Sequence, residues 1–285
     1  MPTAGAGYRA HVPRIGDNAR EGLRLPARLA VAAAGWGVGG LLAALAAARG
    51  AKAVHPTGVV YGARLVVDGA AHAPRGSSLL ATPGEHVALM RFSRSLGMPR
   101  PIPDLLGISL RVLDAYGRER HQDFMLVSSV DRVILHHLFV PAADAQQHPY
   151  SSSLPYRAGD ETFLVGVVPD PLSPRPSGDD EFQRLQRAAA TGRLTFGLAI
   201  ASARGRFRRV GTLHVQERLP QSVDALRFNP FHCGGGLAPV GVLNRLRDYA
   251  YPLSQAAWAR RRDGARTQRA ADAQLSAIAR DRSTT

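Results

Sequence analysis

The sequence predicts an α+β protein: a closed antiparallel β-barrel with flanking helices and an N-terminal helical arm. Three observations predict it. From residue 58 onward, short apolar runs of strand length recur, broken by Gly, Pro or Asp. A charge-free, alanine-rich stretch precedes them. A capped amphipathic stretch interrupts them near residue 180. The chain divides into an arm and Ala/Gly-rich helix (1–50), the barrel with a following helix (51–262), and an Arg/Ala-rich tail (263–285).

Residues 1–24, rich in Gly, Pro and Arg, form a loose arm. Leu29–Ala48 is twenty residues without a charge, flanked by Arg28 and Arg49. Twenty is the length of a membrane span. Nine of the twenty are alanine, and Gly35, Gly37, Gly39 and Gly40 weaken the helix. Alanine and glycine contribute little transfer energy, so a packed or membrane-peripheral helix is the first reading and insertion the second. The leader before it is too long for a secretory signal.

The strand-like runs follow in order: "GVVYGARLVVDG", "HVALMRFS", "GISLRVLD", "DFMLVSS", "RVILHHLFV", "YRAGDETFLVGVVP", "RLTFGLAIASA" and "RFRRVGTLHVQE". Several alternate in polarity, as strands with two different faces do. A meander of this kind removes its edges by closing. Before the last two runs, Asp179 or Ser177 is expected to cap a helix reaching about Thr191, with Gly192 as its stop. A Gly/Pro-rich connection, "FNPFHCGGGLAPVG", leads to "RLRDYAYPLSQAAW" (Arg245–Trp258).

Composition narrows the function classes. Apolar residues make up 45% and charged residues 20%, which suits a globular chain. The formal net charge is +14, almost all of it from arginine. The basic residues are scattered, with Arg260-Arg261-Arg262 the longest run. That argues for a solvated basic surface and against a specific nucleic-acid site. Cys233 is the single cysteine, so no internal disulfide and no multi-cysteine metal site is available. A reducing, cytoplasmic interior suits it.

No P-loop, dinucleotide fingerprint, HExxH or nucleophile elbow occurs. "GWGVGG" does not follow a strand and is no phosphate loop. His136 and His137 are adjacent on a strand-like run, so they face opposite sides and do not share a site. His55, in "VHPTG" at the entry to the first strand, would be unremarked by itself.

Taken in order, several stretches change that. "VHPTG" (Val54–Gly58), "MRFS" (Met90–Ser93), "PDLLGISLRV" (Pro103–Val112), "DFMLVSS" (Asp123–Ser129), "RRVGTLHV" (Arg208–Val215), "FNP…GLAP" (Phe228–Pro239) and "RDYAYPLSQ" (Arg247–Gln255) resemble, in the same order, the motifs of the haem catalases. The resemblance spans roughly residues 50 to 260 and implies a barrel of catalase type. On this resemblance a minimal version is expected, lacking the family's long wrapping arm and extra C-terminal domain.

The resemblance implies haem b as cofactor and assigns roles. Tyr251 matches the proximal tyrosine whose phenolate binds the haem iron. Arg247, one helical turn earlier, matches the arginine that favours the ionised phenol, whose pKa is otherwise about 10. Tyr249 falls on another face and packs. His55 matches the distal histidine that moves a peroxide proton, and Ser93 the serine that supports it. Arg91 matches an arginine that pairs with a haem propionate. Lys52 stands where another propionate arginine is expected, keeping the charge without the bidentate fork.

There are departures. The family's distal asparagine is replaced by the region Val127-Ser128-Ser129, where Ser128 offers a weaker donor. The arginine of the Arg-Asp turn is Pro103. Beyond Tyr251, a further propionate arginine gives way to Trp258. These changes leave haem binding and peroxidase-like chemistry on peroxide or organic hydroperoxides, and weaken the case for fast peroxide dismutation. The alternative is a catalase-fold haem or lipid carrier without catalysis, possibly membrane-peripheral. A homo-oligomer with no specific nucleic-acid partner is expected.

Overall fold

The computed structural model describes residues 57–98, 102–132, 135, 138–202 and 205–241. The expected N-terminal arm, the Leu29–Ala48 stretch and the helix carrying Tyr251 lie outside them. Among the described residues no helix is long and apolar enough to cross a membrane.

Ten strands form one antiparallel system: β1 (Thr57–Val67), β2 (Gly84–Arg94), β3 (Leu106–Val112), β4 (Gln122–Ser128), β5 (Tyr150–Ser151), β6 (Tyr156–Ala158), β7 (Glu161–Pro169), β8 (Thr195–Ala201), β9 (Arg208–Arg218) and β10 (Leu237–Pro239). The order β5-β4-β3-β2-β1-β9-β8 closes because β7 pairs with both β5 and β8. The ring therefore has eight strands, and β6 and β10 extend from the free part of β7. Closure satisfies the backbone groups that an open meander would leave bare.

Strand alternation fills the barrel. Tyr61, Ala63 and Leu65 of β1, Met90 and Phe92 of β2, and Ile108 and Leu110 of β3 all point into one core. The rings of Tyr61 and Phe92 meet edge to face at 5.9 Å, and Phe124 meets Tyr156 the same way at 5.6 Å. Edge-to-face contacts set the positive ring edge against the negative face. An eight-stranded ring leaves an interior that side chains can fill.

Among the described residues two helices flank it. The short α1 (Ser78–Ala81) is capped by Ser77, whose hydroxyl accepts from the Leu80 amide at 3.2 Å, and buries Leu79 and Leu80. The longer α2 (Glu181–Ala190) buries Leu185, Ala188 and Ala189 against the core. Its cap is Asp180, whose carboxylate accepts from the amides of Phe182 and Gln183 at 2.9 Å each, where the sequence suggested Asp179 or Ser177. Asp179 instead has its amide bound by the Gln183 side chain. Gly192 ends the helix at φ +67°, as expected for a C-terminal glycine.

The run "RVILHHLFV" departs from its strand reading. Among its described residues Leu135 accepts from the Leu138 amide in a turn, and Phe139 makes an isolated bridge to Ser129. Leu135, Leu138 and Phe139 are exposed. A run of apolar residues predicts a strand only where a core exists to receive one face, and here β4 and β5 already complete the wall.

A second, smaller apolar layer lies outside the barrel. Val60 of β1 and Leu89 of β2 face away from the interior and meet Leu219, Val223, Leu226 and Phe228. The chain after β9 therefore crosses the outer face of the β1–β4 wall, by way of a 3-10 turn (Gln221–Ala225).

Candidate functional site

The outer face of β1–β4 carries the polar cluster. On β2, Ala88, Met90 and Phe92 point inward, so Leu89, Arg91 and Ser93 point outward. Antiparallel register sets their neighbours. Arg91 stands between Val60 of β1 and Ser109 of β3. Ser93 stands between Gly58 and Gly107. The row Gly58–Ser93–Gly107 thus has one small side chain across three strands, with the buried Arg91 guanidinium reaching over Gly58.

Arg91 is 4% exposed. Its Nε donates to the Asp224 carbonyl at 3.3 Å. Burial lowers its guanidinium to about 10, against the pull of the Asp224 carboxylate, and it stays charged at neutral pH. Gly58 makes room for it: a Cβ there would stand 2.7 Å from Arg91 Nη2 and 2.6 Å from the Phe92 carbonyl oxygen.

Asp224 is placed by a break in the sheet. The β1–β9 pairing shifts register between Tyr61 and Ala63, and the chain leaves β1 beyond that point. Leu219 still donates to the Val60 carbonyl at 2.9 Å, and the orphaned Val60 amide donates to Asp224 Oδ1 at 3.0 Å. The carboxylate replaces a strand carbonyl, as buried backbone donors require. Arg218 lies 3.5 Å away. Burial raises the Asp224 carboxyl, while the Val60 amide, Arg218 and Arg91 act in the opposite direction.

A second cluster lies beside it. Arg111 of β3 and Asp123 of β4 are register partners on the same outer face. They form a bidentate pair, Nε to Oδ1 at 2.7 Å and Nη2 to Oδ2 at 2.6 Å. Burial by itself would raise the Asp123 carboxyl. The charge and hydrogen bonds of Arg111, helped by His232, more than offset this and hold it at about 2. The pair also grips the crossing chain. Arg111 donates to the Arg227 carbonyl at 2.6 Å, the Asn229 amide donates to Asp123 at 2.8 Å, and Arg111 lies 5.1 Å from the Phe228 ring centre. His232 Nδ1 is 3.3 Å from Asp123 Oδ2. Next to it, burial pushes the Cys233 thiol up to about 11, so it is protonated and a poor nucleophile at neutral pH.

The structure brings Arg91 and Ser93 together on one face. The Ser93 hydroxyl donates to the Gly107 carbonyl at 3.3 Å. Ser128 stands apart from them. It pairs with Tyr150, which faces the interior, so it shares the inner parity. Its hydroxyl donates to the Val140 carbonyl at 2.7 Å and accepts from the Leu106 amide at 3.1 Å. It knots two loops at the barrel end. Ser129, one residue on, has the parity of Arg91 and Ser93. His55, Lys52, Arg247 and Tyr251 lie outside the described residues; His55 stands three residues before Gly58, the register partner of Ser93.

Asp224 and the Arg111–Asp123 pair escape a strand-by-strand reading of the sequence. Arg111 breaks the run "GISLRVL" and Asp123 opens "DFMLV", so a charge of each sign sits in adjacent buried strands. Pairing those two strands in antiparallel register would have joined them. Nothing in the sequence near Asp224 points to Val60.

No family model and no curated protein matches this chain. Solved structures do. A fungal catalase superposes with a TM-score of 0.53 at 13% identity, covering 73% of this chain and 61% of its own. A bacterial catalase gives 0.50 at 11% identity, covering 72% and 56%. Catalase A from Saccharomyces cerevisiae gives 0.53 at 12% identity, covering 72% and 60%. The chain thus spans less than two thirds of the length of each of these catalases. The closed antiparallel barrel and the superpositions agree that this chain has a catalase-like fold.

Proposed function

We propose that this protein binds haem b against the outer face of β1–β4 and reacts with hydrogen peroxide or organic hydroperoxides. The observation that carries the reading is the Gly58–Ser93–Gly107 row of small residues with the buried Arg91, on a barrel of catalase type. A row of small residues suits a flat ring whose rim carries carboxylates, and the Arg91 guanidinium reaching over Gly58 supplies a positive charge for one of them. The described residues therefore fit haem. When bound, the haem supplies an iron centre able to promote cleavage of a peroxide O–O bond.

The chain's own residues hold the group and move protons. Tyr251 would bind the iron as phenolate, and Arg247 would keep that phenol ionised. Arg91 and Lys52 would neutralise the propionates. His55, supported by Ser93, would take a proton from the bound peroxide and return it to the departing oxygen. Ser128 contributes less than the sequence suggested, because its hydroxyl proton goes to the Val140 carbonyl. That observation favours slow peroxidase-like chemistry, or a haem or lipid carrier as second reading, over rapid dismutation. The protein is read as cytoplasmic and homo-oligomeric.

One absorption spectrum tests the proposal. Protein expressed with haem supplied should show a Soret band of ferric tyrosinate type. Tyr251→Phe should abolish it. His55→Ala should keep the band and lose peroxide reactivity. A protein without the band, or two variants that both retain activity, would refute the assignment.

A further inference from the structure

Asp224 lies beside Arg91 without forming an ion pair with it. Its contacts are divided between main chain and side chain. The main-chain carbonyl accepts from Arg91 Nε at 3.3 Å. The carboxylate accepts from the Val60 amide at 3.0 Å through Oδ1, and its Oδ2 lies 3.5 Å from Arg218 Nη2. The other buried arginine of this face, Arg111, shows what an uncommitted carboxylate does: Asp123 takes it in a bidentate grip at 2.7 and 2.6 Å. Asp224 is kept from the same grip on Arg91 because both of its carboxylate oxygens are engaged elsewhere.

This division has a structural cause. Val60 stands where β9 leaves β1, and its amide takes the Asp224 carboxylate in place of a strand carbonyl. Val223 and Leu226 pack the surrounding 3-10 turn into the outer apolar layer, which sets where the turn lies. The carboxylate sets how the turn is oriented at Asp224. Carbonyl and carboxylate belong to one residue, so pinning the second fixes the first. With Nε held by that carbonyl, Arg91 Nη2 reaches over Gly58, 2.7 Å from where a Cβ would stand. The guanidinium charge is thus aimed at the Gly58 end of the row Gly58–Ser93–Gly107. Tyr61, the register partner of Arg218, brings no charge to compete for either group, since burial pushes its phenol up to about 12.

We propose that Asp224 is a positioning residue for Arg91: its carbonyl orients the guanidinium, and the commitment of its carboxylate to Val60 and Arg218 keeps the guanidinium charge for an anionic ligand. The ligand's identity, a haem propionate, rests on the function proposed above; the positioning is a property of the chain itself. Arg91 is a long side chain with many rotamers, and holding it in place beforehand lowers the cost of ordering it when the ligand arrives. A charge-assisted hydrogen bond made with that geometry contributes on the order of a tenfold change in affinity.

Two measurements on the full chain test this. The first is solvent exchange of the Arg91 Nε–H, followed by magnetic resonance in protein with isotope-labelled arginine and identified by its absence in Arg91→Lys. Asp224→Ala should speed the exchange by about tenfold or more, whereas Asp224→Asn, whose side-chain oxygen still accepts from Val60, should stay within about threefold of wild type. The second is haem titration followed at the Soret band, where Asp224→Ala should weaken binding by about tenfold. Circular dichroism checks that the variants fold; if Asp224→Ala does not, Asp224→Ser, whose shorter side chain withdraws from Val60, is read the same way. Unchanged exchange in Asp224→Ala overturns the inference. So does an Asn variant as impaired as the Ala variant, or fast exchange with unchanged haem affinity. A wild-type protein without a Soret band refutes the haem reading instead, and the exchange rates then decide the positioning by themselves.

Discussion

Two buried arginines on one outer face are treated differently by their surroundings. Arg111 is locked in a bidentate pair with Asp123 and also holds the Arg227 carbonyl. Arg91 meets Asp224 through a backbone carbonyl, with the carboxylate turned to Val60 and Arg218. The first arrangement is a structural clamp and the second stands beside the proposed ligand floor. Asp123→Asn leaves Arg111 buried without its counter-charge, and the expected loss is about 3–5 kcal/mol in a urea unfolding titration. The pH dependence follows from the same group. The folded Asp123 carboxyl sits at about 2, below its ordinary 3.8, so the unfolded chain binds a proton first as pH falls. Its stabilisation is fully present above about pH 4 and is lost between about pH 4 and pH 2. Asp123→Asn should remove that step from the acid unfolding curve. Arg91→Lys keeps the charge and loses the fork. It should lower the Soret-to-protein absorbance ratio under limiting haem while leaving the far-ultraviolet circular dichroism unchanged.

Single elements set the tolerances of the site. Gly58 in β1 has no room for a methyl group, because Phe92 O and Arg91 Nη2 occupy the space. Gly58→Ala must move either a strand carbonyl or the guanidinium, costing on the order of 1–3 kcal/mol. It should lower haem retention along with the thermal midpoint. At α2, Asp180→Ala removes the acceptor for two first-turn amides and should cost ~1 kcal/mol in the same unfolding assay. The element bounds show what a sequence discloses. The long strands β1, β2, β3, β4, β8 and β9 were legible because alternation or a continuous apolar run spans each of them. "YRAGDETFLVGVVP" reads as one run, yet it is the hairpin β6–β7, turned at Gly159 with φ +58°. The Leu237–Pro239 strand is hidden in a Gly/Pro-rich connection, since three residues are too few to show a period.

At the scale of the molecule, closure makes the outer face usable. With the interior filled by Tyr61, Phe92, Phe124 and Phe196, a ligand of haem size has no room there, and the haem site proposed above is on the outer wall. Phe124→Ala should cost about 3–5 kcal/mol in stability, because the closed wall has little freedom to collapse onto the void. If the proposed site is external, that variant should unfold at lower temperature yet still take up haem when folded, as read by the Soret band at low temperature.

The sequence by itself determined the barrel class and the capped helix, because these rest on local spacing and composition. It also singled out Arg91 and Ser93, which the register places on one face. Tertiary structure decided the rest. It turned Ser128 inward and gave Ser129 the parity of Arg91 and Ser93, because one residue reverses the face of a strand. It placed Asp224 against β1 across 164 residues of chain, and it stitched the β2–β3 loop to the β4–β5 loop through the Asp104–Ala142 bridge. Those relations depend on register and on where the chain crosses the sheet, and neither is written in any local stretch of the sequence.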